Sequence, residues 1–259
     1  MNKEKLFYLG SLPHSNPIEA IEFVKKHSSH LPFLPQLPES HPQEDMIGQV
    51  LRGIDLGFWD EKASSCLELF QNEFVDSPRY KIQIAGPYTV ARSMSAKFLD
   101  VAPLWVGFWK GLRKQLREAA FQGELWLQID EPFWNSALPY ICEGYTAFLQ
   151  SVKEVDWDIK LGVHSCATLR PFPFVDHINF FDFLSFDFTQ SPMTPQEEEN
   201  YGRWLCQKGK NLVWGGLKAG NNNLNHLFKD HPQVWISPPC GFYGWEISEL
   251  ERQVGEWEK

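Results

Sequence analysis

Donor groups that bind soft metal ions stand at the ends of short apolar runs in this chain. Gly162-Val163-His164-Ser165-Cys166 sets an imidazole and a thiol two residues apart. In a strand, residues two apart project to the same face, so His164 and Cys166 can reach inward together. Asp187 closes the run Leu184-Ser185-Phe186-Asp187, and Cys240 follows Pro238-Pro239. One imidazole, two thiolates and a carboxylate form a donor set that suits zinc, which is usually tetrahedral. His-x-Cys alone is more often a core histidine beside a buried thiol, and a further Cys at another strand end strengthens the metal reading. The remaining cysteines, Cys66, Cys142 and Cys206, sit in helical-looking segments and read as small core residues. An odd cysteine count in a large chain does not suggest a disulfide framework.

These groups need a scaffold that brings distant strand ends together. Short apolar runs alternate with helical stretches, which favours parallel strands joined by helical crossovers. Eight candidate strands are read: Phe7–Leu12, Leu31–Leu37, Lys81–Gly86, Leu125–Glu131, Ile159–Cys166, Phe181–Thr189, Leu212–Lys218 and Val234–Cys240. Asn16 caps a helix with Pro17 in its first turn and an apolar stripe at Ile18, Ile21 and Val24. Pro103–Phe121 is a long helical run ending near Gly123, and Ile247, Leu250, Val254 and Trp257 share one face of a last helix. Residues 54–80 are the least clearly assigned, a helical excursion between strands two and three. The expectation is α/β, a single closed (β/α)8 barrel over residues 1–259, with an open doubly wound sheet as runner-up. Barrels place their active sites at the C-terminal strand ends. Those ends carry Ser11, Gln36, Asp130, Glu131, His164, Cys166, Asp187, Lys218 and Cys240.

Composition narrows the classes. The chain has 259 residues with 43% apolar content, enough for a large core in one domain. Its net charge of −9 argues against a nucleic-acid partner, which requires a basic surface. No apolar run approaches the roughly 18 residues that span a bilayer, and residues 1–10 lack a signal-peptide core. A cytoplasmic protein with no membrane partner is expected. There is no Rossmann glycine fingerprint and no P-loop, so no nucleotide cofactor is expected.

Taken together, five stretches resemble the catalytic C-terminal barrel of the cobalamin-independent methionine synthase family. They are Gly10-Ser11-Leu12-Pro13, Ala85-Gly86-Pro87-Tyr88-Thr89, Gln128-Ile129-Asp130-Glu131-Pro132, His164-Ser165-Cys166 and Ser237-Pro238-Pro239-Cys240-Gly241. They occur in the family's order, span nearly the whole chain, and do not include the family's additional N-terminal domain. The resemblance implies zinc held by His164, Cys166 and Cys240, with the family's glutamate position falling on Asp187, one methylene shorter. It implies that Asp130 binds the amino group of an amino-acid substrate and that donors near Ser11 hold its carboxylate. Glu131, next to Asp130 in a strand, faces the opposite side. It is a candidate substrate contact or, equally, a structural partner below the site. Gln36 and the Glu44-Asp45 pair lie where the family places further substrate contacts. His14 is the candidate catalytic residue near the mouth, although such a histidine more often caps a helix.

The implied reaction moves a methyl group to a thiol, homocysteine becoming methionine. A free thiol near neutral pH is mostly protonated, with a pKa of about 8.5, and coordination to zinc removes that proton. The implied donor is a methyltetrahydrofolate or a methylcorrinoid carried by a corrinoid protein. Phe133, Trp134, Phe188, Trp214, Phe242 and Tyr243 are aromatics for such a planar partner, with core packing the ordinary role of each. A methylcobalamin:coenzyme M-type thiol transferase is an alternative with the same zinc chemistry. A porphyrinogen decarboxylase of similar architecture is disfavoured, since residues 1–51 contain no arginine. A non-catalytic barrel with four protein ligands on a structural zinc is the third reading.

Overall fold

The computed structural model describes residues 5–39, 44–60, 64–133, 142–156, 158–166, 178–189, 194–217, 233–242 and 244–258. Lys218, Trp134, Tyr243 and the side chains of Cys142 and Cys206 lie outside what is described. Six strands form one parallel sheet in sequential order: β1 (Arg79–Ala85), β2 (Glu124–Asp130), β3 (Lys160–Ser165), β4 (Phe183–Asp187), β5 (Asn211–Gly215) and β6 (Val234–Ser237). Helices fill the connections: α1 (Pro17–His27), α2 (Met46–Leu56), α3 (Leu67–Phe74), α4 (Pro87–Ser93), α5 (Phe98–Glu118), α6 (Cys142–Val155), α7 (Pro195–Gln207) and α8 (Ile247–Trp257).

Two of the eight expected strands are not strands. Phe7–Leu12 and Leu31–Leu37 are extended segments attached by single parallel bridges, Leu6 to Ile236, Ser11 to Gln36 and Phe33 to Lys81. Proline explains part of this. Pro13, Pro32 and Pro35 lack the amide hydrogen that a longer ladder needs. The bridges nevertheless continue the parallel series from β6 through residues 6–11 and 33–36 to β1.

Period-two alternation separates two cores. Tyr80, Ile82 and Ile84 of β1, Leu125, Leu127 and Ile129 of β2, and Leu161 and Val163 of β3 pack into the large cluster that includes Trp105, Trp109 and Leu112 of α5. The opposite face holds a second cluster of Phe7, Leu9, Leu31, Trp126, Phe183, Val213 and Trp235. Trp126 of β2 and Trp235 of β6 meet with ring centroids 5.4 Å apart. In a flat sheet, four strand spacings would separate those strands by about 19 Å. The sheet must therefore curl strongly about this second cluster.

Local signals account for the helix positions. Asn16 Oδ1 accepts from the Ile18 amide at 2.9 Å, as the cap reading requires. Ile18, however, is exposed, and the buried stripe of α1 is Ala20, Ile21, Phe23, Val24 and His27. The long helix α5 starts at Phe98, before Pro103, which lies inside it. It ends with Ala120 at φ 61° rather than at Gly123. The unassigned stretch from 54 to 80 holds the end of α2 and all of α3. On α8, Leu250, Val254 and Trp257 are buried while Ile247 is at the rim.

Candidate functional site

The C-terminal end of β3 carries His164 on the inner face. Its register partner on β4 is Ser185, and His164 Nδ1 lies 2.8 Å from Ser185 Oγ. Nε2 is buried and makes no hydrogen bond of good geometry. One ring nitrogen held by a neighbour, with the other turned away from it, is the arrangement a metal-binding imidazole uses. Cys166, one residue beyond β3, and Cys240, beyond β6, lie within hydrogen-bonding reach of each other. The Cys166 thiol's hydrogen bond and the adjacent His164 ring push the Cys240 thiol down to about 4. Its partnership with Cys240, then burial, push Cys166 up. Cys240 is open to solvent at the rim while its sulfur faces this pair.

Asp130 ends β2 and is buried. It accepts from Gln128 Nε2 at 2.6 Å. Burial pushes its carboxyl up to about 6, opposed by the His164 ring, the Gln128 bond and Lys81. Asp130 is thus beside the thiol and imidazole cluster. Glu131 faces the other way, as alternation requires. Its carboxylate accepts from Tyr88 N at 3.1 Å, Thr89 N at 2.8 Å, Thr89 Oγ1 at 2.6 Å and Tyr145 Oη at 3.1 Å. The two amides are orphan donors of the first turn of α4, so Glu131 caps that helix. A Cβ on Gly86 would stand 2.1 Å from Glu131 Oε1, which explains glycine ahead of Pro87. Burial pushes Glu131 up to about 7 against these bonds.

Ser11 bridges to Gln36 and accepts the Phe242 amide on its carbonyl at 2.8 Å. A Cβ on Gly241 would stand 2.9 Å from Ser11 Cβ, so Ser11 is packed beside the residue that follows Cys240. Gln36 is buried, and its Nε2 donates to Gln49 Oε1 at 2.8 Å. Of the Glu44-Asp45 pair, Glu44 accepts from the Ser65 amide at 2.8 Å, and Asp45 caps α2 through the Ile47 and Gly48 amides.

Lys81, Gln83 and Gln128 were not among the residues singled out from the sequence, yet all three are buried on the inner face. Lys81 Nζ lies over the rings of Phe7 and Phe33, at 4.8 and 5.7 Å from their centroids. It donates to Gln83 Oε1 at 2.9 Å and to Gln128 Oε1 at 3.4 Å. Burial pushes its amine down to about 7, opposed by Asp130. The signal was present in β1 and β2, where polar Lys81, Gln83 and Gln128 alternate with Ile and Leu. A parallel sheet is covered on both faces, so polar residues in period two mark a buried polar interior.

Other expected residues are placed elsewhere. Asp187 is buried at the end of β4, and its Oδ1 accepts from the Thr189 amide at 2.7 Å and from Thr189 Oγ1 at 2.6 Å. His14 packs on Phe23 with centroids 5.5 Å apart, beside Glu19 and Glu251, over α1 and α8. Burial lowers its pKa, and its Nδ1 has no partner. Phe188, Trp214 and Phe242 are core residues, whereas Phe133 is exposed.

Among the described residues, no group of three or more His, Cys, Asp or Glu side chains is arranged to hold a metal ion. The fit to zinc therefore rests on donor chemistry: two neighbouring sulfurs, Cys166 and Cys240, and the buried His164 imidazole beside them. No protein-family profile and no curated protein matches the chain. Among the described residues, no helix is long and apolar enough to cross a membrane.

Proposed function

We propose that this chain is a single (β/α)8-type barrel that activates a thiol at a zinc site and methylates it. Closure is supported by the parallel bridges from β6 through residues 6–11 and 33–36 to β1, and by the ring contacts across the interior. The observation that carries the function is the meeting of His164, Cys166 and Cys240 at the strand ends. These three residues would hold the ion, with the Cys166–Cys240 hydrogen bond giving way to coordination. Bound there, zinc would supply a Lewis acid that keeps a substrate thiol deprotonated at neutral pH.

The chain's own residues would do the rest. Ser185 fixes the His164 ring through Nδ1. Asp130, held by Gln128, offers a carboxylate to the ammonium group of an amino-acid thiol, homocysteine by the family resemblance. Ser11 and the adjoining backbone lie on the side where that substrate's carboxylate would rest. The sulfur forms its bond to the methyl carbon as the bond from that carbon to a folate nitrogen or a corrinoid cobalt breaks. The electron pair leaves with the donor. Among the described residues expected to meet a planar donor, Phe133, two residues beyond Glu131, is exposed.

Asp187 bears on the competing reading, a purely structural zinc. Such sites have four protein ligands, whereas catalytic sites keep one position open. Asp187 Oδ1 is already committed to Thr189. With His164, Cys166 and Cys240 as the three proposed protein donors, a fourth position would be free for a substrate thiol, as a catalytic site requires. The test supplies zinc-loaded protein with homocysteine and either methylcobalamin or methyltetrahydrofolate and measures methionine. Production with one donor supports the reading, and none with either, nor with coenzyme M as acceptor, contradicts it.

A further inference from the structure

The interior beneath the cluster is an ordered chain of amides with one amine at its centre. An amide side chain has an oxygen end that accepts and a nitrogen end that donates, and only its partners decide which way it points. Lys81 Nζ donates to the oxygens of both Gln83 and Gln128. Gln83 Oε1 also accepts the Gly10 amide at 2.5 Å. With its oxygen so engaged, Gln83 turns Nε2 toward Gln36 Oε1 at 3.3 Å. Gln36 in turn points its own Nε2 at Gln49 Oε1, 2.8 Å away. On the other arm, Gln128 turns Nε2 toward Asp130 Oδ1. The bonds from side chain to side chain in this chain therefore run outward from Lys81, while Gln36 Nε2 also donates back to the Gln83 carbonyl at 3.4 Å.

We propose that Lys81 is a positioning residue that holds Gln128 by its oxygen while Nε2 stays on Asp130, and thereby sets the specificity of the site for a thiol bearing an ammonium group. This rests on the reading of Asp130 as the anchor of the substrate amine. Lys81 touches neither substrate nor metal ligand in this account and acts only through Gln128. Without Nζ, Gln128 Oε1 loses its donor and the amide is held by Asp130 alone, so the carboxylate is placed less firmly for the substrate ammonium. The amine donates to both glutamines in either protonation state, since a neutral amine still has two hydrogens.

The test uses zinc-loaded wild type, Lys81→Met, Gln128→Met and the double variant. Binding of L-homocysteine and of its des-amino analogue, 4-mercaptobutanoate, is measured by calorimetry. Side-chain amide NMR spectra are recorded without ligand. Lys81→Met is expected to shift the Gln83 and Gln128 side-chain amides. It should also weaken homocysteine about tenfold, as loss of an outer partner commonly does. The analogue should stay within about twofold, and the double variant should be no worse than either single one, the mark of a shared pathway. Unmoved amides, or equal weakening of both thiols, would overturn the proposal. If Lys81→Met does not fold, Gln128→Met, which keeps the amine, must show the same selective loss. Wild type that binds neither thiol would defeat the Asp130 reading, while the amide shifts alone would still decide whether Lys81 orients the chain.

Discussion

Glu131→Gln tests the division of labour between the two adjacent carboxyls. The substitution keeps Oε1, and with it the bonds from Tyr88 N and Tyr145 Oη. It replaces Oε2 by an amino group. Thr89 Oγ1 can rotate its hydrogen and accept from that group, but the Thr89 amide, 2.8 Å away, loses its acceptor. A buried unpaired amide costs about 1–3 kcal/mol. Against this stands relief from burying a charge. Glu131 rises from 4.5 to about 7 on folding. A raised carboxyl gives stability that is full below its unfolded value and is lost as pH rises through the folded one. In the wild type that loss is roughly 2.5 kcal/mol between pH 5 and pH 8. The variant cannot titrate there. With about 2 kcal/mol for the orphaned amide, it should be less stable than wild type by about 1 kcal/mol at pH 5 and more stable by about 1 kcal/mol at pH 8. Urea unfolding at both pH values measures the difference through the midpoints. A stability difference that does not move between pH 5 and pH 8 would refute the assignment of Glu131 as a buried helix cap with a raised pKa.

Three further outcomes follow from the same geometry. Gly86→Ala forces a Cβ against Glu131 Oε1 and Ile129 Cγ2, so it should lower stability by about 1–3 kcal/mol, read as a fall in Tm. Ser185→Ala removes the partner of His164 Nδ1 and should weaken zinc binding about tenfold in a chelator competition while leaving the far-ultraviolet circular dichroism unchanged. Asp187→Asn keeps an oxygen for Thr189 and should retain zinc; loss of the metal would restore Asp187 to the ligand set.

The parts of this fold that were legible in the sequence are those where local chemistry and burial agree. Asn16-Pro17 declared the start of α1; β3, β4 and β6 fall within expected runs, and β1, β2 and β5 begin one or two residues before theirs. Alternation also separated Asp130 from Glu131. Less was legible where long-range packing decides. The exposed Ile18 breaks the stripe expected for α1, because the helix turns Ala20, Phe23 and His27 inward instead. Residues 7–12 and 31–37 read as strands, yet Pro13 after the first and Pro32 and Pro35 inside the second help reduce them to bridged segments. Lys81 escaped notice because a lone lysine in a strand normally reads as a solvated edge position. Only the enclosure of the inner face makes it a buried centre. His14, the candidate catalytic residue, packs on Phe23 instead, a contact across α1 that no local signal announces.

The central claim is that His164, Cys166 and Cys240 hold one zinc ion with a position open to a thiol. Zinc per chain, measured in metal-replete wild type beside Cys166→Ala and Cys240→Ala, tests it most directly, together with zinc X-ray absorption before and after homocysteine. The account predicts near one zinc per chain in the wild type, loss in both variants, and one additional sulfur in the coordination shell on adding homocysteine. Wild type that takes up no zinc, or a zinc shell that homocysteine leaves unchanged, would contradict it.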